Sequence, residues 1–228
     1  MKSTIVHSDI QDIYLRLDAL YSLDNWWQAE SKLEVILGSI LTQNTSWKNV
    51  EHSISNIKSA HAMNMNKLIN MDTRSIRRLI SPSGFYNQKT NTIKGILIAI
   101  KNKYGNIENM SKINTEELHE FLLNLKGIGN ETADSILLYA FNKPVFVIDA
   151  YTKRIMSRIY GINQKIEYND LQGIFVDSLQ CNPKFYKQMH AYFVELAKNN
   201  CTKNNPKCNG CVLNSICNHA NLQKNNYS

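Results

Sequence analysis

Apolar residues recur along most of this chain at the three- and four-residue spacing of one helical face. "KLEVILGSILTQ" sets Leu33, Ile36, Leu37, Ile40 and Leu41 on a common stripe. "TEELHEFLLNL" does the same with Leu118, Phe121, Leu122 and Leu125, behind Asn114 and Glu117, which form a capping-box-like start. "ADSILLYAF" continues with Ile136, Leu137, Ala140 and Phe141, and "TKRIMSRIY" adds Ile155, Met156 and Ile159. Alternating strand patterns are missing; the best candidate, "PVFVI" at 144–148, is short and isolated. Breaks fall at 81–87, 103–109, 126–130, 141–144 and 181–184, where Gly, Pro and Asn gather. No fixed-period repeat is present. The pattern predicts a mostly α protein, with a polar tail over its last residues.

Length and composition narrow the class only modestly. The 228 residues suffice for one large or two small domains, and 43% hydrophobic with 20% charged residues is an ordinary globular balance. Lys and Arg outnumber Asp and Glu by 26 to 19, which suits a polyanionic partner without requiring one. "MKSTIVHSDIQDIYLRL" has no apolar core of a signal peptide, and no apolar run reaches bilayer-spanning length. The expectation is a soluble protein of a reducing compartment, where clustered cysteines are read as metal ligands before disulfides.

Three stretches carry chemistry. "KGIGN" joins two apolar helices by a very tight turn. Glycine permits positive φ and close backbone approach, and the free N–H groups at the start of the second helix would make a phosphate-binding nest beside Lys126. A plain helical hairpin whose glycines only turn the chain is the alternative. "PVFVIDAYTKRI" places Asp149 after four apolar residues and before a helix. It is then either an N-cap or a carboxylate in a partly desolvated cleft, able to activate water or stabilise positive charge on a sugar. "CTKNNPKCNGCVLNSIC" spaces Cys201, Cys208, Cys211 and Cys217 as C-x6-C-x2-C-x5-C. Thiolates this close converge on a soft metal centre. Structural zinc sites usually pair two short Cys hairpins and this run has one, which disfavours four-thiolate zinc. His219 is a spare ligand, and Cys181 stands apart as an ordinary thiol.

Together these stretches resemble the endonuclease III superfamily of DNA glycosylases, the helix-hairpin-helix proteins with a Gly/Pro-rich loop and aspartate. The resemblance rests on "LKGIGNETAD", "VFVIDAYTKRI" and the cysteine tail, with "GFYNQKTNTIKGI" at 84–96 similar to the segment before the hairpin. It runs from about residue 30 to 217. It implies a two-domain all-α fold: an N-terminal helix (1–28) packing with the C-terminal domain, a helical barrel domain with the hairpin (29–142), and a helical domain with the aspartate loop (143–200). A cluster loop (201–217) and polar tail (218–228) complete the expected division. It further implies double-stranded DNA as partner, a monomer, no membrane, and an intracellular, nucleoid-associated place of work. The four cysteines become ligands of a [4Fe–4S] cluster and Asp149 the catalytic carboxylate. Phosphate contacts fall on Lys126, Gly127, Gly129 and Thr132, and Gln43 of "LTQNT" fills the hole left by a flipped-out base.

One position departs from strand-cleaving members of the family, which carry a lysine where Glu131 stands. That lysine's amine forms a Schiff base with the sugar, and a carboxylate cannot. The expectation is a monofunctional glycosylase in which water completes the displacement. Glu131 is either a dipole partner in its helix's first turn or a direct substrate contact. Trp26, Trp27 and Trp47 are the chain's three tryptophans. Packing is their ordinary role; an aromatic pocket stacking a flipped base is the functional one. A base alkylated at N3 or N7 is cationic and attracted to aromatic faces and to carboxylate. The tryptophan pair, the aromatic after "TQNT" and Glu131 look like the 3-methyladenine DNA glycosylase branch. Glycosylases for uracil or thymine opposite guanine, a bifunctional endonuclease III-type glycosylase and lyase, and a non-catalytic iron–sulfur DNA-binding module are the alternatives.

Overall fold

The computed structural model describes residues 7–23 and 26–225. It divides into two compact units, one of residues 27–143 and one that joins residues 1–26 to 144–228. The expected N-terminal segment (1–28) and barrel (29–142) thus differ from this division by a residue or two at each junction. Among the described residues every regular element is helical.

In the 27–143 unit, seven helices run in order: α1 (Lys32–Leu41), α2 (Trp47–Ser59), α3 (Met65–Asn70), α4 (Thr73–Ile80), α5 (Tyr86–Tyr104), α6 (Thr115–Leu123) and α7 (Asn130–Ser135). α1 is the central one. Its periodicity suggested a single apolar face, yet every residue from Leu33 to Leu41 is buried. The polar members are paired: Ser39 Oγ donates to the Val35 carbonyl at 2.9 Å, and Glu34 meets Lys58 at 3.0 Å. α6 starts as its sequence predicts, with the Glu117 N–H donating to Asn114 Oδ1 at 2.8 Å. The chain after α7 does not continue as plain α-helix but widens into a π-helical turn at Ile136–Ala140. Such turns re-aim side chains and are frequent at functional sites.

The other unit holds α8 (His7–Asp18), α9 (Ala150–Tyr160), α10 (Tyr168–Ser178), α11 (Pro183–Asn199) and α12 (Asn218–Asn225), α8 being the helix that opens the chain. Its core is aromatic: Phe146 stacks on Phe175 with centroids 4.1 Å apart, and Phe193 meets Phe175 edge-on at 5.8 Å. "PVFVI" forms no strand, although Phe146, Val147 and Ile148 are buried. Its backbone pairs with side chains of α10 instead: Gln172 Nε2 donates to the Phe146 carbonyl at 2.6 Å and the Ile148 N–H to the Tyr168 hydroxyl at 3.2 Å. The polar tail is helical over Asn218–Asn225, anchored by buried Ala220.

Candidate functional site

The hairpin turn is built as the two glycines require. Gly127 has φ +88°, and a Cβ there would lie 2.2 Å from Thr92 Oγ1 of α5, so both conformation and space demand glycine. Gly129 differs, with φ −106° and open space where a Cβ would sit. It precedes α7 and offers no side-chain cap to the helix's first turn. Lys126, Gly127 and Gly129 are all exposed, while Ile128 between them is buried. Thr132 lies in the first turn of α7. It is 6% exposed, and its hydroxyl accepts a hydrogen bond from Gln43 Nε2 at 2.9 Å. The same Gln43 nitrogen donates to the Gly127 carbonyl at 3.1 Å. Gln43 and the hairpin are therefore one assembly. Glu131 is exposed on α7's first turn.

A buried lysine holds the neighbouring segments. Lys89 Nζ donates to the Leu41 carbonyl at 2.8 Å and the Ser83 carbonyl at 2.7 Å. These carbonyls lie two residues before Gln43 and before Phe85. Burial pushes the Lys89 ammonium down to about 8. Phe85 is 60% exposed with φ +46°, a left-handed conformation rare for a bulky residue. Nothing in the apolar pattern signals Lys89 or Phe85.

The adjacent tryptophans part company. Trp27 meets Trp47 edge-on at 5.3 Å and Tyr139 of the π turn, tilted, at 4.9 Å. Perpendicular rings at that distance leave no slot for a base between Trp27 and Trp47. Trp27 lies against α1 at Gly38, where a Cβ would come within 2.8 Å of its Cζ2. Trp26 belongs to the other unit. Its Nε1 donates to Glu195 Oε1 at 3.1 Å, its ring stands edge-on to His190 at 5.9 Å, and Lys198 Nζ lies 5.7 Å from its centroid.

Asp149 is the N-cap of α9, and more. Its Oδ1 accepts the Thr152 N–H at 2.7 Å and the Thr152 hydroxyl at 2.8 Å. Its Oδ2 faces His190 Nε2 at 3.5 Å, with the two side chains 13% and 9% exposed respectively. Burial pushes the Asp149 carboxyl up, but the adjoining His190 imidazole and the Thr152 donors outweigh it, and the group lies below the ordinary carboxylate range. Sequence reading found Asp149 and missed His190.

Further along α9, two arginines one turn apart hold the cysteine loop. Arg154 donates to the Cys201 carbonyl at 3.0 Å and the Ala197 carbonyl at 3.3 Å. Arg158 donates to the Thr202 carbonyl at 2.7 Å, the Lys203 carbonyl at 2.8 Å and Cys201 Sγ at 3.2 Å. Burial raises the Cys211 thiol against a backbone hydrogen bond at Leu213 that lowers it, with Cys201, Cys217 and Cys208 adding to the rise. Among the described residues no group of three or more His, Cys, Asp or Glu side chains is arranged to hold a metal ion. Cys181 is exposed and outside this loop.

With this geometry in view, the chain matches the family described as HhH-GPD superfamily base excision DNA repair protein over residues 37–181. It is 43% identical over 210 residues to a Methanocaldococcus jannaschii protein named as a DNA repair glycosylase, covering 91% of this chain and 95% of that one. Among solved structures it is similar to Helicobacter pylori 3-methyladenine DNA glycosylase bound to 1,N6-ethenoadenine. That match has TM-score 0.75, identity 29%, and covers 85% of this chain and 98% of the other. An endonuclease III–DNA complex gives TM-score 0.82 at 14% identity over 97% of this chain and all (100%) of that one, a likeness of fold. The all-helical architecture is thus the endonuclease III-like fold expected from the motifs.

Proposed function

The chain belongs to the HhH-GPD superfamily of base excision DNA repair proteins, and from that premise we propose that it is a monofunctional DNA N-glycosylase acting on alkylated, cationic purines such as 3-methyladenine. Its general activity is that of a DNA glycosylase in base excision repair. The observation that carries the reading is the state of Asp149. One oxygen is fixed by Thr152, the other faces His190, and the carboxylate is kept ionised despite its burial. An anion in such a setting stabilises the positive charge that grows on the sugar as the glycosidic bond breaks, and orients the attacking water. The bond is reached only once the nucleotide is extruded.

A cationic base leaves as a neutral molecule and needs little acid catalysis. Aromatic faces and carboxylates favour it over neutral bases. Trp27 and Trp47 supply the aromatic surface in this reading, joined by Tyr139, and exposed Glu131 supplies negative charge. Trp26 acts beside His190 rather than on the base. The exposed backbone at Gly127 and Gly129 takes phosphate, and Gln43 fills the vacated stack. The lysine that would act as lyase nucleophile is replaced by Glu131. Lys143, close by in sequence, directs its amine to the Ile113 carbonyl at 2.6 Å.

Cys201, Cys208, Cys211 and Cys217 would hold a [4Fe–4S] cluster. The support is the donor chemistry and its spacing in sequence, since such a cluster takes one thiolate on each iron; among the described residues the side chains are not arranged as a metal-holding group. The group would supply a structural tie for the loop, and Arg158 would donate to its Cys201 sulfur. Iron analysis of anaerobically purified protein should give about four irons per chain; one zinc per chain would overturn this assignment. Double-stranded DNA carrying a damaged base is the partner of a monomeric, intracellular enzyme in this reading.

The deciding experiment is a base-release assay on methylated, uracil-containing and T·G-mismatched duplexes, with wild type and Asp149→Asn. Asparagine caps helices as well as aspartate does, so the variant should fold. Its release of 3-methyladenine should fall by about 100- to 10,000-fold. Release of uracil or thymine without 3-methyladenine would overturn the substrate assignment. A borohydride-trapped enzyme–DNA adduct would overturn the monofunctional one.

A further inference from the structure

His190 enters the reading above only as the neighbour of Asp149, and it is buried and aimed at the one carboxylate oxygen that the helix cap leaves over. On α11, it lies with Nε2 3.5 Å from Asp149 Oδ2. The ring is walled by Trp26, edge-on at 5.9 Å. Trp26 is itself fastened by Glu195 through its indole N–H, one turn further along α11. Lys198, a turn beyond, covers the indole face and pairs with Glu195 at 3.2 Å. Among the groups facing the imidazole are Asp149 from the start of α9 and the Trp26 ring, with Glu195 and Lys198 in turn contacting that ring.

We propose that His190 is the positioning residue of Asp149: it orients the carboxylate and keeps it ionised, while Trp26 and Glu195 hold the imidazole in place. The inference rests on Asp149 being the catalytic carboxylate, and it assigns a positioning role to His190, Trp26 and Glu195. The physical need is specific. Thr152 fixes Oδ1 with two donors, which sets one oxygen but leaves Oδ2 facing a buried surround. A buried carboxylate lacking a second partner protonates more readily, and a protonated acid neither orients water as a base nor stabilises a cationic sugar. A donor beside Oδ2 prevents this. At 3.5 Å the pair is longer than a close hydrogen bond, as such pairs often are before substrate binds.

The roles separate in one set of measurements. Carboxyl 13C NMR titration of aspartate-labelled protein, with Asp149→Asn supplying the assignment, reads the carboxyl directly and needs no activity. Wild-type Asp149 should titrate below the usual value of about 3.9. In His190→Phe, burial is opposed by Thr152 without the imidazole, and the midpoint should rise. His190→Gln keeps a donor without the charge and should give a smaller rise. It also serves if the Phe variant does not fold. The acid limb of kcat/KM for 3-methyladenine release from methylated duplex should move with the titration. Trp26→Leu should shift both in the same direction to a lesser extent.

An Asp149 midpoint unchanged in His190→Phe, or unchanged in His190→Gln where only that variant folds, would overturn the proposal. So would an acid limb that stays fixed while the carboxyl midpoint moves. Full base release by Asp149→Asn would instead overturn the catalytic assignment, with the NMR result still reporting whether the His190 pair exists.

Discussion

Gln43 Nε2 is shared between Thr132 Oγ1 at 2.9 Å and the Gly127 carbonyl at 3.1 Å, which fastens the segment after α1 to the hairpin turn. A side chain proposed to enter the DNA stack is thereby held by the element proposed to hold phosphate. Phosphate binding and base replacement then share one rigid support, because Thr132 is itself buried in the first turn of α7.

The pair predicts a measurable coupling. A double-mutant cycle with Gln43→Ala and Thr132→Val, read by chemical denaturation, should give a coupling energy of about 0.5–1.5 kcal/mol, the usual net worth of one such hydrogen bond. A coupling near zero would show that the two side chains do not meet in solution. Gln43→Ala should also weaken binding to duplex bearing an abasic-site analogue, measured by fluorescence anisotropy.

The two hairpin glycines should behave differently when replaced by alanine. Gly127→Ala imposes a side chain at φ +88° and drives its Cβ to 2.2 Å from Thr92 Oγ1. It should lose several kcal/mol of stability, at or beyond the roughly 4 kcal/mol that marks exceptional substitutions. Gly129→Ala meets neither obstacle in the free protein. Its melting temperature should stay close to that of wild type, while DNA affinity falls if backbone there closes on phosphate. Thermal melts beside binding isotherms separate the two effects.

Lys89 predicts a pH dependence whose sign follows from its environment. Burial places its pKa at about 8, below the ordinary lysine value. Between those two values the unfolded chain binds a proton that the folded chain does not, so stability rises with pH across that window. The cost of the buried ammonium is fully present below about pH 8 and fades toward the ordinary value of about 10.4. Against a Lys89→Met reference, wild type should gain on the order of a few kcal/mol between pH 7 and 10. Urea titrations across that range measure the difference. A flat difference would mean that Lys89 keeps its proton.

How much of this was legible in advance depended on range along the chain. Caps were legible, because the residues involved are neighbours: Asn114 with Glu117, and Asp149 with Thr152, each meet across a single turn. The hairpin was legible because Gly127 answers a local demand for positive φ. The apolar run at 144–148 tells only that the segment is buried. Whether buried backbone pairs with a strand or, as here, with Gln172 and Tyr168 is decided by what packs against it.

The sequence by itself determined the helical class, the ends of several helices, the hairpin, the capping aspartate and the grouping of four cysteines, since each depends on periodicity or on partners a few residues away. The tertiary structure alone decided which oxygen of Asp149 faces His190, that Arg158 reaches the Cys201 sulfur, that Lys89 ties the end of α1 to Ser83, and that Trp26 and Trp27 serve different units. Those pairings join residues remote in sequence, and a local pattern records that a side chain is buried without recording what it is buried against.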